Sequence, residues 1–379
     1  MHKSNNTKNS IFWSLIQQFS TQGIGFIVAI VMARLIMPKD FGLMGLVYVY
    51  VAIGAVLLEG GLTHSLIRTK KPDEEDFSTV FFINLFISIS FYIVLYFTAP
   101  FISEYYNERM LINIIRIYSL TFIISSFSVI QNTILIKDLK FKTIFLINIP
   151  SLLISSLVSI VLAVLGYGVW SLVWGGITKS FLLTLQLWYY GKWKPVFTFN
   201  VNKFKLHFNF GYKIALMDVL NSIYANIFQL FIGKFFSITT VGYFTQANTL
   251  RQIPVSNIYG AINNVAYPLF AENIQDNSKL LLMYKKLLIM MVYVITPLLI
   301  YLCVFGEPIL RFLFTAKWLP ALRYLRILCF AGMLHPLVVF NMNIFKVKGR
   351  SDLYLFLGFI NKFLITLGIL LSLKYGIEV

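Results

Sequence analysis

The sequence predicts an all-α integral membrane protein, and three observations support this prediction. About eleven apolar runs are each long enough to cross a bilayer, since roughly 20 apolar residues span its hydrocarbon core. The composition is 58% hydrophobic and 12% charged, with a mean hydropathy of +0.77. The short joints between the runs are rich in Lys and Arg. No part of the sequence is left over for a large soluble domain.

Each predicted span ends where a polar joint begins. The runs at 144–165, 168–190, 282–305 and 353–373 meet the required length of about 20 residues. In chain order, the predicted spans are 11–36, 41–66, 78–100, 111–136, 144–166, 168–190, 209–234, 240–267, 282–305, 320–345 and 353–375.

The distribution of basic residues predicts the orientation. With the N-terminus inside, the inside joints carry 18 Lys and Arg and the outside joints carry 8. Short cytoplasmic loops are enriched in these residues. We therefore expect a multi-pass protein of the bacterial inner membrane with a cytoplasmic N-terminus. The net charge of +17 reflects this topology rather than a nucleic-acid surface.

The same sequence argues against several other classes. Residues 1–10 are polar and the first apolar run is too long for a signal peptide. The two cysteines, Cys303 and Cys329, lie in apolar runs and predict no disulfide framework. His64, His207 and His335 have no ligand spacing, so we predict no metal site and no cofactor. No phosphate-binding loop or nucleophile motif is present, and no catalytic role is predicted.

An internal similarity at an offset of 200 residues suggests a parallel repeat. Arg34 precedes Gly42 by eight residues, and Lys234 precedes Gly242 by the same distance. Six spans separate the two segments, so both halves keep one orientation, as in transporters whose substrate site lies at the repeat interface. Chance similarity between apolar segments is the alternative.

The repeat divides the chain into an N-terminal bundle of six spans and a C-terminal bundle of five. We assign the first to 1–191, a cytoplasmic interfacial linker to 192–207, and the second to 208–379. Because eleven is odd and the chain stops directly after an apolar run, we expect the second bundle to be truncated. A genuinely short natural chain is the alternative.

Ionisable residues inside the predicted spans are the main functional candidates, because a charge near the bilayer centre costs at least about 3 kcal/mol. Cations outnumber carboxylates by eight to two, which favours an anionic substrate. Glu59 and Asp218 are the candidates for ion coupling. Some of the cations could instead snorkel to an interface, and Lys213 could pair with Asp218. The predicted anion-binding residues are Arg34, Arg116, Lys213, Lys234 and Arg251.

Amide side chains in the first and seventh spans form a second set. Gln18 and Gln22 are four residues apart and share a helix face. Asn221 and Asn226 lie in the seventh span, the counterpart of the first in the second half. Amides suit sugar hydroxyls, although they also join helices within a bilayer.

The acidic run from Asp73 to Asp76 has a structural interpretation. It directly precedes a predicted helix, where carboxylates are favoured by the helix dipole. We predict a helix N-terminus rather than a metal or nucleotide-sugar motif.

The chain resembles bacterial polysaccharide exporters of the MATE-like MOP superfamily, similar to lipopolysaccharide-biosynthesis flippases such as the colanic acid exporter. The segments that carry the resemblance are WSLIQQF at 13–19, ARL at 33–35 with Pro38 and Phe41-Gly42, EGGL at 59–62, TVFFIN at 79–84, GVWSLVW at 168–174, IGKFF at 232–236, PVSN at 254–257, KWLPA at 317–321 and KVKGRSD at 346–352.

This resemblance implies two pseudo-symmetric six-helix bundles around a central cavity, here with the second bundle incomplete. It also implies alternating access and movement of an undecaprenyl-diphosphate-linked oligosaccharide from the cytoplasmic to the periplasmic leaflet. Coupling to H+ or Na+ is implied by analogy, with membrane lipid as a further partner.

Two alternatives remain at the level of sequence. A lipid II or multidrug exporter would have the same fold, but a cation exporter should carry more cavity carboxylates. A membrane polysaccharide polymerase or glycosyltransferase needs a sizeable outside loop or an outside acidic motif, and neither is present.

Overall fold

The computed structural model describes residues 2–59, 61–272, 276–348 and 350–372, and within these ranges it contains helices and no strands. The helices are α1 (His2–Leu35), α2 (Pro38–Glu59), α3 (Gly61–Arg68), α4 (Glu74–Tyr106), α5 (Met110–Tyr118), α6 (Leu120–Lys137), α7 (Phe141–Val164), α8 (Val169–Tyr190), α9 (Val201–Ala225), α10 (Ile227–Phe235), α11 (Ile238–Glu272), α12 (Asn277–Val304), α13 (Gly306–Phe314), α14 (Ala321–Val347) and α15 (Ser351–Ser372).

Helices cover all eleven predicted spans, the last as far as residue 372. Seven described helical segments are long and apolar enough to cross a membrane. An eighth qualifies if α9 and α10, which are bent by 44°, form one span. The all-α membrane fold is therefore confirmed, whereas the count of eleven spans stays a prediction.

The chain forms two compact units, Met1–Lys234 and Phe235–Val379. In the first unit, α1 packs on α7, and α9 packs on α2, α3 and α4. In the second unit, α11 packs on α12 and α14. These two units are defined by contacts between residues. The membrane bundles predicted at 1–191 and 208–379 therefore stay a prediction.

An apolar cluster at one end of the first unit joins α3, α4 and α6. Leu66, Val80 and Ile130 are fully buried in it, and Trp193 from the connection before α9 packs against them. The connection 191–200 runs along this end, which we call the linker end of the first unit. By the distribution of basic residues we expect the linker end to face the cytoplasm.

Helices α3 and α9 cross at two glycines. A Cβ atom on Gly61 would overlap the backbone of Gly211, and a Cβ atom on Gly211 would overlap that of Gly61. The two backbones therefore touch with no side chain between them, which is the close approach that small residues permit between membrane helices.

A short helix that sequence reasoning missed, α13, lies in the joint before Lys317. Leu310 and Phe314 are buried, whereas Arg311 and Phe312 are exposed. This amphipathic pattern is typical of a helix lying at a membrane interface.

The two segments related by the 200-residue offset have the same local structure. Helix α1 ends at Leu35 and α2 begins at Pro38, and α10 ends at Phe235 while α11 begins at Ile238. In both places a two-residue break follows the basic residue, Arg34 or Lys234. The sequence similarity thus corresponds to a shared turn.

Candidate functional site

Two predicted anion-binding residues contact tyrosines of α4. Arg116 Nε donates to the carbonyl oxygen of Tyr96 at 3.2 Å, and its guanidinium lies 4.1 Å from the centre of that ring. Lys234 Nζ donates to the carbonyl oxygen of Tyr105 at 2.8 Å and lies 4.0 Å from its ring centre. Carbonyl and ring partners reduce the cost of placing these cations in an apolar span.

The other two predicted cations of the first unit are exposed within it. Arg34 lies at the end of α1. Lys213 lies on α9, where its Nζ is 5.8 Å from the ring centre of Tyr212. Arg116 and Lys234 thus contact the same helix, α4. Their tyrosine partners are nine residues apart, or about 14 Å along the axis of that helix.

The amides predicted for sugar hydroxyls differ in their surroundings. Gln18 and Gln22 on α1 and Asn221 on α9 are exposed within the first unit. Asn226 instead lies at the end of α9, where its Nδ2 donates to the carbonyl oxygen of Ser222 at 2.8 Å. Asn226 therefore satisfies a helix end at the bend, a role that the sequence analysis did not assign to it.

The two predicted coupling carboxylates form no ion pair with any described residue. Glu59 is exposed at the last position of α2, and Asp218 is half-buried on α9. In particular, the ion pairs of the described chain do not include one between Lys213 and Asp218.

Arg251 is the predicted cation of the second unit. Its Nη2 atom donates to Asn248 Oδ1 at 2.9 Å and to Gln252 Oε1 at 2.8 Å. Its Nε atom is buried and finds no partner among the described residues. Both partners are neutral, so among the described residues no carboxylate compensates this guanidinium, and its buried Nε donor lacks a partner there, as an anion-binding residue requires.

A buried polar cluster at the linker end was missed by sequence reasoning. His207 is fully buried, with Nδ1 at 2.8 Å from Ser65 Oγ and Nε2 at 3.1 Å from Asp76 Oδ1. Asp76 is 2% exposed, and its Oδ2 atom accepts from Lys203 Nζ at 3.1 Å. The cluster ties α9 to α3 and α4.

The predicted helix N-terminus at the acidic run is confirmed. Asp73 and Asp76 form a capping box, in which each side chain accepts from the backbone N–H of the other. Lys203 also bonds Asp73 at 2.8 Å, and this bond, followed by the backbone donor, lowers the pKa of Asp73 to about 2. The acidic run thus has a second role, as the partner of α9.

No sequence pattern indicated the pairing of Asp76 with His207. The two residues are 131 positions apart, and the predicted seventh span began two residues after His207. The one available signal was the position of His207 just before an apolar run, where its imidazole would need a hydrogen-bond partner from another helix.

A family model described as polysaccharide biosynthesis protein matches residues 31–323. The chain belongs to this polysaccharide biosynthesis protein family. The sequence-based resemblance to polysaccharide exporters is thereby confirmed.

Among curated relatives, the chain is 28% identical over 303 residues to the teichuronic acid biosynthesis protein TuaB of Bacillus subtilis, covering 79% of this chain and 62% of TuaB. It is 23% identical over 343 residues to the lipopolysaccharide biosynthesis protein WzxC of Escherichia coli, covering 90% of this chain and 70% of WzxC. The chain therefore spans between three-fifths and three-quarters of the length of these two family members.

Among solved structures, the fold is similar to that of the lipid II flippase MurJ in an inward closed conformation. The TM-score is 0.79 at 17% identity, and the match covers 97% of this chain and 82% of MurJ. At this identity the likeness concerns the fold alone, which is that of a multispan membrane transporter.

Proposed function

We propose that this chain is a transporter, not an enzyme, and that it flips a lipid-diphosphate-linked oligosaccharide from the cytoplasmic to the periplasmic leaflet by alternating access. The observation that carries the proposal is the family match over residues 31–323, in a chain with the fold of a known lipid flippase. The carrier lipid that we propose is undecaprenyl diphosphate, and the product is a surface polysaccharide.

Arg251 supports an anionic substrate. Among the described residues, this guanidinium bonds only amide oxygens and meets no carboxylate, and its unpartnered Nε donor can bind a diphosphate oxygen. Arginine also presents two parallel donors, which match phosphate geometry better than the single ammonium of lysine. We therefore propose Arg251 as the first of the diphosphate ligands.

The remaining predicted residues keep their proposed roles. Two of the anion ligands, Arg116 and Lys234, have to leave their tyrosine carbonyls to reach a substrate, whereas Arg34 and Lys213 are already exposed. Exposure within the first unit also supports a sugar-binding role for Gln18, Gln22 and Asn221, and Asn226 keeps the same proposed role. Glu59 and Asp218, which lack an ion pair in the described chain, are proposed to couple transport to H+ or Na+.

The proposed location is the bacterial inner membrane with the linker end in the cytoplasm. The support for this orientation is the 18-to-8 excess of basic residues in the joints of that side. A reporter fused after Lys205 should stay cytoplasmic, whereas one fused at Lys317 should be exported. The reverse result would overturn the orientation.

Deletion of the gene tests the function directly. We expect lipid-linked oligosaccharide to accumulate in the cytoplasmic leaflet and surface polysaccharide to be lost. Complementation with Arg251→Ala should restore membrane insertion but not export, and Arg251→Lys should restore export only partly. An unchanged surface glycan in the deletion strain would contradict the proposal.

A second candidate substrate is lipid II itself, which the similarity to MurJ favours. Lipid II carries the same kind of diphosphate linkage and would use the same cationic ligands. Rescue of a strain depleted of its lipid II flippase would support this candidate, and failure to rescue at normal expression would exclude it.

A further inference from the structure

Helix α9 is attached to its neighbours at the linker end by groups that can hold a proton. His207 lies between Ser65 of α3 and Asp76 of α4, and all three side chains are buried, with at most 6% exposed. Buried ionisable residues on membrane-spanning helices are candidates for proton relays and conformational switches.

We propose that Asp76, His207 and Ser65 form a proton-binding latch, which holds the linker end of α9 against α3 and α4 and weakens, so that α9 can be released, when the imidazole loses its proton. The release is a step of the transport cycle, so the mechanistic part rests on the proposed function. The proton site itself does not.

The hydrogen bonds fit both protonation states of the imidazole. In the neutral state, Nε2–H donates to Asp76 Oδ1, and Nδ1 accepts from the hydroxyl of Ser65. In the charged state both ring nitrogens donate, and the same hydroxyl accepts. A proton is therefore gained or lost at Nδ1 by rotation of one hydroxyl group, with no rearrangement of the helices.

The proton changes the strength of the attachment. Protonation places a full positive charge beside the Asp76 carboxylate and so adds an ion pair to a hydrogen bond that the carboxylate already accepts. Histidine is also the side chain that ordinarily changes charge near neutral pH. The latch is consequently tighter at lower pH on the linker side.

Among the charged groups around the latch, the imidazole of His207 is the one whose charge we propose to change. Lys203 of α9 bonds Asp73 and Asp76, which places one cation between two carboxylates. Protonation of His207 supplies the second positive charge and brings this group of four to neutrality.

Other ionisable groups on the packed elements have partners of their own. Glu75 of α4 accepts from Asn200, and Arg68 of α3 lies 4.6 Å from the ring centre of Phe210. Lys137 of α6 donates to backbone carbonyls of α3 at Leu66, Ile67 and Thr69. His64 of α3 and Glu59 of α2 are exposed.

The crossing beside the latch allows α9 to separate. Gly61 and Gly211 each lie four residues, or one helical turn, from Ser65 and His207 respectively. Because two bare backbones meet there, no side chain has to disengage at the crossing itself when α9 moves. The hydrogen-bonded latch is the polar attachment that must open.

Hydrogen–deuterium exchange of the intact protein tests the proton site without any transport assay. After correction for intrinsic exchange, opening of residues 201–211 should increase as pH rises and the imidazole loses its proton, by at most about tenfold per pH unit, and should then level off. The α7 segment 141–164 is the internal control and should show no such slope. His207→Gln, which keeps a donor for Asp76 but does not titrate, should flatten the profile. A wild-type profile as flat as that of α7 would overturn the proposal.

A reversible cross-link tests the movement. Thr79→Cys with Asn200→Cys joins α4 to the start of α9 outside the latch, where the backbone N–H of Asn200 donates to the Thr79 hydroxyl at 3.3 Å. In a background lacking Cys303 and Cys329, this pair should transport when reduced and stop when the disulfide closes. The matched control joins α7 to α8 through Ser151→Cys and Gln186→Cys, whose native side chains are hydrogen-bonded at 2.8 Å. Its transport should not respond to oxidation.

The outcomes separate the latch from the proposed function. Transport that continues with the first disulfide closed would overturn the latch while leaving the flippase intact. Absence of transport in both reduced pairs and in the wild type would count against the flippase, and the exchange profile would then decide the proton site alone.

Discussion

The two ends of the first unit hold the seventh predicted span in different ways. At the linker end, α9 is tied to α3 and α4 through the buried His207 and Asp76. At the opposite end, α10 is tied to α4 through Lys234, which contacts the carbonyl and ring of Tyr105, a residue that is 51% exposed. The linker end is held by buried ionisable side chains, and the opposite end by a lysine that lies on an exposed aromatic ring.

The difference lies in what happens when one partner is lost. Removing one member of a buried charged set leaves the others desolvated and unpaired, which costs about 3–5 kcal/mol. Removing one member of an exposed contact returns the other to water at little cost. The linker end should therefore be sensitive to single substitutions and the opposite end tolerant of them.

The largest expected effect comes from filling the glycine crossing at the linker end. Gly61→Ala should lower the free energy of unfolding by about 3 kcal/mol or prevent folding, because its Cβ atom meets backbone that cannot move aside. Thermal unfolding in detergent measures this effect. Gly23→Ala, where a Cβ atom meets nothing within 4 Å, is the control and should be neutral or stabilising.

Asp76→Ala should have the next largest effect and lower the free energy of unfolding by about 3 kcal/mol. The substitution leaves His207 without its carboxylate and removes the capping box of α4. The exposed Asp138, whose ion pair with Lys140 is a surface contact, supplies the control Asp138→Ala. Equal unfolding temperatures for the two variants would show that the buried contacts of Asp76 and the exposed ion pair of Asp138 contribute equally to stability.

Tyr105→Leu should lower the unfolding free energy by only about 1 kcal/mol, the value of an exposed cation–π contact. The hydrogen bond of Lys234 survives, since it goes to the backbone carbonyl of that position. A loss comparable to that of Asp76→Ala would show that the opposite end is as firmly held as the linker end.

The smallest effect concerns Asp73, which is exposed. Lys203 lowers the pKa of Asp73 to about 2, below the ordinary aspartate value of about 3.9. A lowered pKa contributes stability above the ordinary value, and this contribution is lost as pH falls from about 4 to about 2. Unfolding temperatures measured across this range should fall more for the wild type than for Asp73→Asn. Parallel curves would show that the ion pair contributes nothing.

The helices of this fold were predictable because hydropathy and length decide them locally. Span 144–166 corresponds to α7 and span 168–190 to α8, within a few residues. The capping box before α4 was predictable for the same reason, since its residues are adjacent. Helix α13 was missed because it is only nine residues long and lies in a joint between predicted spans.

The functional chemistry was only partly predictable. Charge and burial cost indicated that Arg116 and Lys234 would need partners, but not that tyrosines of α4 would supply them. The hydrogen bond that Asn226 makes at a helix end depends on a bend that no pattern predicted, and its sugar-binding role stays a prediction. The pair formed by Asp76 and His207 depends on tertiary contact, which a single sequence does not contain.

The 44° bend between α9 and α10 makes α9 a lever. With 25 residues, it extends about 37 Å from the bend to the linker end, so a rotation of about 5° at the bend moves that end by about 3 Å. His207, 19 residues or about 28 Å from the bend, moves by about 2.5 Å, which stretches its 2.8 Å contact with Ser65 beyond hydrogen-bonding distance. An angular change too small to disturb the packing around Asn226 is thus amplified into a bond that is either made or broken.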